Sequence, residues 1–207
     1  MNCDWIAPYY RWFEYLGFGA ELERRRFCLL DQVRRARRVL VLGDGDGRFL
    51  ARLAREIPEA EIDSVEASAR MQRLARRRSR DCARVNHLLG DARSLTLARR
   101  EYGLIVTHFF LDCFEAGDAE ALVARISDAA APGAQWLISE FRRAARGWRA
   151  VWCNTWIAFL YFFFRVATGL KTRVLVDHHP LLARHGFRLV RQETSRFGLL
   201  SSELWQR

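Results

Sequence analysis

Three glycines spaced two residues apart, Gly43, Gly45 and Gly47, constrain the fold of this chain more than any other feature. They follow a predicted strand at 38–43 and lead into a helical pattern, so a buried strand turns tightly into a helix. Glycine is needed there because the turn demands unusual backbone angles and a ligand must come close to bare backbone. The next predicted strand ends on Glu66, whose carboxylate could hold both hydroxyls of a ribose. The sequence therefore predicts a site for a nucleoside-containing cofactor.

Strand and helix patterns alternate along most of the chain, which favours a parallel α/β sheet. A length of 207 residues with 50% apolar content is enough for one domain spanning 1–207. Two late strands, at 185–193 and 197–205, predict an antiparallel hairpin that closes the sheet edge. The other predicted strands lie at 38–43, 61–66, 84–89, 103–108 and 134–141, and the helices at about 22–37, 47–57, 68–80 and 118–130.

The element order and several short motifs resemble class I S-adenosylmethionine-dependent methyltransferases over nearly the whole chain. The motifs are the glycine loop, Glu66, the step Leu89–Ala92 and the turn Pro132–Gly133. The resemblance implies a Rossmann-like, mostly parallel seven-stranded sheet with helices on both faces, S-adenosyl-L-methionine as cofactor and methyl transfer as the reaction. Residues 4–10 look like the start of the ubiquinone/menaquinone-type small-molecule methyltransferases within that superfamily.

The resemblance also implies which residues contact the cofactor. The glycine loop would take the methionine part, Glu66 the ribose hydroxyls and Asp91 the adenine amino group. The alternatives are a tight turn without ligand, an exposed acidic strand end at Glu66 and an Asx turn at Asp91. The predicted contact residues are Gly43, Asp44, Gly45, Asp46, Gly47, Glu66, Ala67, Asp91, Ala92, Thr107 and Phe109.

One position departs from the family pattern. The acidic residue that usually stands two positions before the first glycine, where it helps hold the methionine ammonium, is Val41 here. Asp44 and Asp46, inside the loop, are possible substitutes. Because Val41 replaces the usual acidic residue, the contacts to the amino-acid end of the cofactor differ from the family pattern or come from another residue.

Strand 103–108 ends on His108, next to the expected position of the methyl group. An imidazole near its neutral pKa can take a proton from an acceptor hydroxyl, so His108 is the candidate general base. Asp112 could orient it or cap the following helix. The alternative for His108 is a histidine that only packs at a strand end.

Aromatic residues predict the acceptor side. Trp148, Trp152 and Trp156 recur every four residues within the apolar segment 148–168, which is too short and too interrupted to span a bilayer. We expect a lid or interfacial helix that admits a hydrophobic or aromatic acceptor, with Trp148, Trp152, Tyr9 and Tyr10 as substrate-binding residues and 1–37 as an N-terminal lid. The alternatives are a helix packed on the sheet or a dimer contact, so a monomer and a homodimer both remain open.

The net charge of +10 comes almost wholly from arginine. It allows contact with nucleic acid or an anionic membrane surface. The arginine clusters also fit solvated helix faces, and no basic strand interleaved with aromatics is present, which makes nucleic acid the less favoured partner. RNA methylation and a non-catalytic cofactor-binding or membrane-surface protein remain the alternative functions. NAD chemistry is disfavoured because its fingerprint needs the third glycine at position 48, which is Arg48.

No metal is predicted. The five cysteines are scattered without a C-x-x-C pair, which fits reduced thiols in a cytoplasmic protein without a signal peptide. His178 and His179 are adjacent, an arrangement that rarely chelates one ion, and Pro180 marks a helix start. The aspartates of the glycine loop fail as a calcium loop because Arg48 and Arg55 occupy ligand positions.

Overall fold

The computed structural model describes residues 19–33, 36–82, 84–98, 100–142, 175–195 and 198–207. The strands are β1 (Arg38–Leu42), β2 (Glu61–Glu66), β3 (Val85–Leu89), β4 (Tyr102–His108), β5 (Ala130–Phe141), β6 (Arg188–Thr194) and β7 (Leu200–Gln206). The α-helices are α1 (Glu21–Phe27), α2 (Arg48–Glu56), α3 (Ala69–Arg78), α4 (Ala116–Ala129) and α5 (His178–Arg184). Among these residues, no helix combines the length and the apolar character that crossing a membrane requires.

The seven strands form one sheet in the order β3-β2-β1-β4-β5-β7-β6. Strands β1 to β5 pair in parallel, whereas β7 pairs antiparallel with both β5 and β6. The predicted Rossmann-like sheet with an antiparallel C-terminal hairpin is therefore confirmed. The hairpin enters the sheet with β7 inside and β6 at the edge.

Strand β1 lies between β2 and β4 and is buried on both faces, which explains its continuous apolar sequence. Val39 and Val41 pack with Phe49 of α2 on one face, which we call the α2 face. Leu40 and Leu42 point to the opposite face. We call that face the α4 face, because helices α4 and α5 cover it through the buried side chains of Leu122, Val123, Ile126 and Leu182.

The N-terminal helix is shorter than the sequence pattern predicts. Helix α1 ends at Phe27, well before residue 37, and a 3-10 turn follows at Leu30–Gln32. Leu29 is buried in the α2-face core. Burying this residue bends the chain onto the sheet, which a continuing helix would not allow.

Strand β5 starts earlier than predicted, at Ala130 directly after α4. The Pro132–Gly133 segment lies within this strand, where the pairing with β4 shifts between Tyr102 and Leu104. Gly133 takes a φ of 72° in that irregular stretch. The predicted turn is therefore an irregularity of the strand, and regular pairing with β4 resumes at Gln135.

The carboxyl ends of the parallel strands meet along one edge of the sheet, called the carboxyl edge below. The chain moves from β1 to β2 and β3 on one side and returns to β4 on the other, so the strand order reverses at β1. Open α/β sheets bind ligands in the crevice at such a reversal. The glycine loop and Glu66 both follow strands that end there.

Candidate active site at the carboxyl edge

The three loop glycines have different surroundings although all lie in the left-handed region, with φ of 66°, 65° and 81°. A Cβ at Gly43 would lie 2.4 Å from Phe110 Cδ2, and one at Gly47 would lie 2.4 Å from the Cα of Ala75. A Cβ at Gly45 would meet no atom of the described residues within 4 Å. Gly43 and Gly47 therefore allow close packing inside the protein, and Gly45 presents the open side of the loop.

Glu66 joins this open side of the loop to the end of β2. Its Oε2 accepts a hydrogen bond from the Gly45 N–H at 3.1 Å, and its Oε1 accepts one from the Ser68 N–H at 2.9 Å. Ala67, which precedes Ser68, is exposed. The main chain of the loop and the Glu66 carboxylate thus converge at one place, as the nucleoside site requires.

Asp44 lies half-buried under the loop and accepts a hydrogen bond from the Leu50 N–H at 2.9 Å. Burial raises the pKa of Asp44 to about 7, against the opposing effects of the Leu50 hydrogen bond and the Arg26 charge. Val41 is buried against Phe49 on the α2 face, where a carboxylate would be costly. The negative charge nearest to the first glycine is therefore on Asp44, and position 41 serves the core.

Asp46 is held by two arginines. Arg48 Nε lies 3.0 Å from Asp46 Oδ1, and Arg78 Nη2 lies 3.1 Å from Asp46 Oδ2. Asp46 is itself buried, so these contacts tie the loop to α2 and α3. Of the two loop aspartates, Asp44 is the one without an ion pair at this distance within the described residues, and it remains the better candidate for a cofactor contact.

Asp91 follows β3, as predicted, and it is clamped by Arg93. Arg93 Nη2 lies 2.6 Å from Asp91 Oδ2, and the Arg93 N–H donates to Asp91 Oδ1 at 2.9 Å, the geometry of an Asx turn. The Arg93 hydrogen bonds lower the pKa of Asp91. Arg93 also bridges to Asp118 at 2.8 Å, and Ala92 is buried beside this network. An adenine amino group would have to share the carboxylate with Arg93.

His108 points to the α2 face, where its ring packs edge-on against Phe49 with centroids 4.5 Å apart. It is buried, and neither of its ring nitrogens has a hydrogen-bond partner among the described residues. Burial, with a smaller effect of the Arg26 charge, holds the pKa of His108 well below its usual value. Asp112 therefore does not orient His108 through a hydrogen bond, contrary to that prediction, and His108 stays neutral.

Thr107 and Phe109 were predicted to line the cofactor. Thr107 is completely buried and its Oγ1 accepts a hydrogen bond from Trp136 Nε1 at 2.9 Å, which leaves it no surface for a ligand. Phe109 is half-buried, with its ring 5.3 Å from that of Phe141 and 5.4 Å from the Arg26 guanidinium carbon. The aromatic ring against the glycine loop belongs to the next residue, Phe110.

The sequence did not point to Glu140, which lies near the end of β5 and interacts with the predicted site residue Asp112 in the 3-10 turn Leu111–Cys113 after β4. Glu140 is 2% exposed, and its Oε1 accepts hydrogen bonds from the N–H groups of Phe110 and Leu111 at 3.1 and 2.8 Å. Burial, then the charge of the neighbouring Asp112, raises the pKa of Glu140 well above its usual value. A charged residue that ends an apolar strand was the available signal, because such strands end at the carboxyl edge.

The predicted substrate-binding residues Tyr9, Tyr10, Trp148 and Trp152 lie outside the described residues, as do the segment 148–168 and residues 1–18 of the predicted lid. Those assignments stay predictions. In the part of the site predicted to bind the cofactor, the structure brings together the glycine loop, Glu66 and Asp44. In the part that would face the methyl acceptor, it places Phe110, Asp112 and Glu140.

Comparison with known proteins identifies a domain within the chain. Residues 39–133 match a family model described as a methyltransferase domain. No curated protein matches the sequence. Residues 39–133 therefore form a methyltransferase domain, and the enzyme is an S-adenosylmethionine-dependent methyltransferase.

Several solved structures share the fold at low identity. The (4+2)-cyclase SpnF has 16% identity and a TM-score of 0.65, over 88% of this chain and 80% of that chain. The N-methyltransferase NodS from Bradyrhizobium japonicum, in complex with S-adenosyl-L-homocysteine, has 14% identity and a TM-score of 0.64, over 90% and 84%. The mitomycin 7-O-methyltransferase MmcR has 18% identity and a TM-score of 0.68, over 91% and 54%.

The residues at the carboxyl edge fit S-adenosylmethionine. Within the described part of the chain the space next to Gly45 is open, and the Glu66 carboxylate beside it can accept hydrogen bonds from two hydroxyls. Asp44 offers a carboxylate that a positively charged ammonium would keep ionised. These features match the two ends of the cofactor, a ribose diol and an amino acid.

Proposed function

We propose that this enzyme transfers a methyl group to a small hydrophobic or aromatic molecule. The junction of Gly45 with Glu66 at the open side of the loop is the observation that carries the cofactor half of this proposal. The acceptor half is supported by the apolar and aromatic surroundings of Phe110, whose ring lies 5.1 Å from that of Phe114. The name of one similar structure, a mitomycin O-methyltransferase, points to the same class of acceptor.

The cofactor supplies an electrophilic methyl group, and the protein's work is to position the acceptor and receive its proton. We propose that Asp44 holds the ammonium end of the cofactor in place of the acidic residue missing at position 41. An ammonium next to Asp44 would lower the pKa of its carboxyl from about 7. Cofactor affinity should therefore increase as the pH rises through 7.

Asp112 and Glu140 together are the proposed proton acceptor. Both are buried, and burial together with the charge of Asp112 raises the pKa of Glu140 well above its usual value, which makes its carboxylate a stronger base. Such a carboxylate can take the proton of an acceptor hydroxyl or amine as the methyl group is transferred. His108 remains the alternative base, because it is neutral, but its ring packs against the core.

Labelled methyl transfer tests the acceptor class. The protein is incubated with S-adenosylmethionine carrying a labelled methyl group and with a panel of phenols, quinols and aromatic amines, and separately with total RNA. The proposal expects label in small organic products. Label confined to RNA would contradict it and would support RNA methylation instead.

The protein's location is also a proposal. A cytoplasmic enzyme with peripheral contact to an anionic membrane would meet apolar acceptors where they dissolve. The exposed arginines of α3 support such a contact, since Arg70, Arg73 and Arg77 line one surface cavity of about 280 Å³ with Leu74. The likeness of residues 4–10 to the ubiquinone/menaquinone-type enzymes fits a lipid-soluble acceptor and stays a prediction.

A further inference from the structure

Two histidines and one carboxylate meet on the α4 face. His178 and His179 begin α5, and Glu203 lies in β7. His178 Nε2 is 2.8 Å from Glu203 Oε2, and His179 Nε2 is 3.1 Å from Glu203 Oε1. The three groups can place one ligand atom each within 4.8 Å of the others.

Neighbouring contacts explain how adjacent histidines reach the same carboxylate. Asp177 caps α5 by accepting a hydrogen bond from the His179 N–H at 3.1 Å. The His179 ring packs edge-on against Trp205 with centroids 4.9 Å apart, and the two histidine rings lie 5.0 Å apart. The rings are thus side by side over Glu203, instead of diverging as neighbouring residues on a helix usually do.

A second layer of donors fixes the carboxylate. Gln192 Nε2 donates to Glu203 Oε1 at 2.8 Å, and Trp205 Nε1 donates to Glu203 Oε2 at 2.9 Å. The Glu203 carboxylate is therefore held in one orientation, and the Gln192 and Trp205 contacts are of the kind that surround metal ligands.

We propose that His178, His179 and Glu203 form a binding site for a divalent transition metal of the zinc class. Zinc binds histidine nitrogen and carboxylate oxygen at about 2.0–2.2 Å, so two ligand atoms at the tetrahedral angle on one ion are roughly 3.3–3.6 Å apart. The observed separations of 2.8 and 3.1 Å need only a small expansion to admit an ion. Imidazole with carboxylate is a donor set that suits zinc, nickel and related ions.

The site has an entry side and a structural consequence. The His179 side chain is 41% exposed, whereas that of Glu203 is 1% exposed, so an ion and a bound water enter past His179.

Glu203 pairs with Ile138, two residues before Glu140, on the same face of the sheet. A bound ion would cross-link α5 to the sheet and place positive charge on the face that carries Glu140.

Cobalt titration of the chelator-treated full-length protein tests the site directly. Co²⁺ bound by nitrogen and oxygen ligands gives a visible absorption, and the proposal expects saturation at one ion per chain, with Zn²⁺ as competitor. His179→Gln should weaken Co²⁺ binding at least about tenfold. His185→Gln is the matched control, because His185 lies just after α5 and outside the cluster, and it should bind as the wild type does.

A thermal melt gives a second measurement that does not depend on the absorption. Zn²⁺ should raise the Tm of the wild type and of His185→Gln, and should do so much less for His179→Gln. Absence of saturable binding by the wild type, or equal affinity of His179→Gln, would overturn the proposal and leave a hydrogen-bonded cluster only. Both experiments are done without S-adenosylmethionine, so neither result bears on the proposed methyl transfer.

Discussion

The Gly45 N–H donates a hydrogen bond to Glu66 Oε2 over 3.1 Å and so joins two segments that are 21 residues apart. The same carboxylate accepts from the Ser68 N–H, which holds it facing the loop. A ribose at this position would compete for the carboxylate oxygens with the protein's own backbone. The strength of cofactor binding therefore depends on how well Glu66 exchanges one set of donors for another.

Alanine at Gly45 and at Gly47 should have different effects. Both positions have φ in the left-handed region, which costs about 1–2 kcal/mol for alanine. At Gly47 the new Cβ would also lie 2.4 Å from the Cα of Ala75, whereas at Gly45 it would enter open space. We expect urea unfolding to show a loss for Gly47→Ala that exceeds that for Gly45→Ala by at least about 1 kcal/mol. Equal losses would mean that α3 does not pack against the loop.

Asp44 should make the stability of the protein depend on pH. Its pKa rises from 3.8 to about 7 on folding, so its contribution to stability is fully present below 3.8 and is lost as the pH rises towards 7. The upper limit of the loss is about 4 kcal/mol, at about 1.4 kcal/mol for each pH unit. Asp44→Asn should therefore gain stability relative to the wild type between pH 4 and pH 8. Urea unfolding at both values measures this, and an unchanged difference would contradict the buried position of Asp44.

Glu140→Gln tests the carboxyl pair. If Asp112 and Glu140 take the acceptor proton, the variant should lose about 10²–10⁴ in kcat, because one carboxyl is replaced by a group that cannot accept it. Its pH profile should also change, whereas KM for the cofactor should stay near that of the wild type. Glu120→Gln, a change on the exposed surface of α4, is the control. A wild-type pH profile in Glu140→Gln would leave His108 as the remaining candidate base.

The arginines of α3 predict binding to anionic membranes. Replacing Arg70, Arg73 and Arg77 with glutamine should weaken binding to vesicles that contain phosphatidylserine roughly 100-fold, at about 1 kcal/mol for each charge. Flotation assays measure the effect. The same change in net charge at Arg52, Arg55 and Arg188, which are exposed on other elements, is the control and should leave most binding intact. A wild type that never floats would end the membrane proposal.

Much of the sheet follows from local sequence. The apolar runs and the glycine loop predict β1, β2 and β4 closely, because burial on both faces requires continuous apolar residues. The end of α1 at Phe27 was not predictable in this way, since it depends on Leu29 fitting the core formed by distant strands.

Only part of the candidate site was predictable, because element order follows from the sequence and side-chain direction does not. Glu66 stands at a strand end, and its position follows from the order of elements. Side-chain direction decides the rest: alternation along β4 sends Thr107 to one face and His108 to the other, and a shift of one residue exchanges them. The meeting of His178 with Glu203 depends on where β7 enters the sheet, which no local pattern reveals.

Calorimetric titration with S-adenosylhomocysteine tests the central claim most directly. The wild type should bind one equivalent, and Glu66→Gln should bind about 10–100-fold more weakly, because charge-assisted hydrogen bonds to the ribose contribute about 1.5–3 kcal/mol. Glu61→Gln, at the exposed start of the same strand, should bind as the wild type does. A folded wild type that shows no binding, or a Glu66→Gln variant that binds with unchanged affinity, would contradict the account.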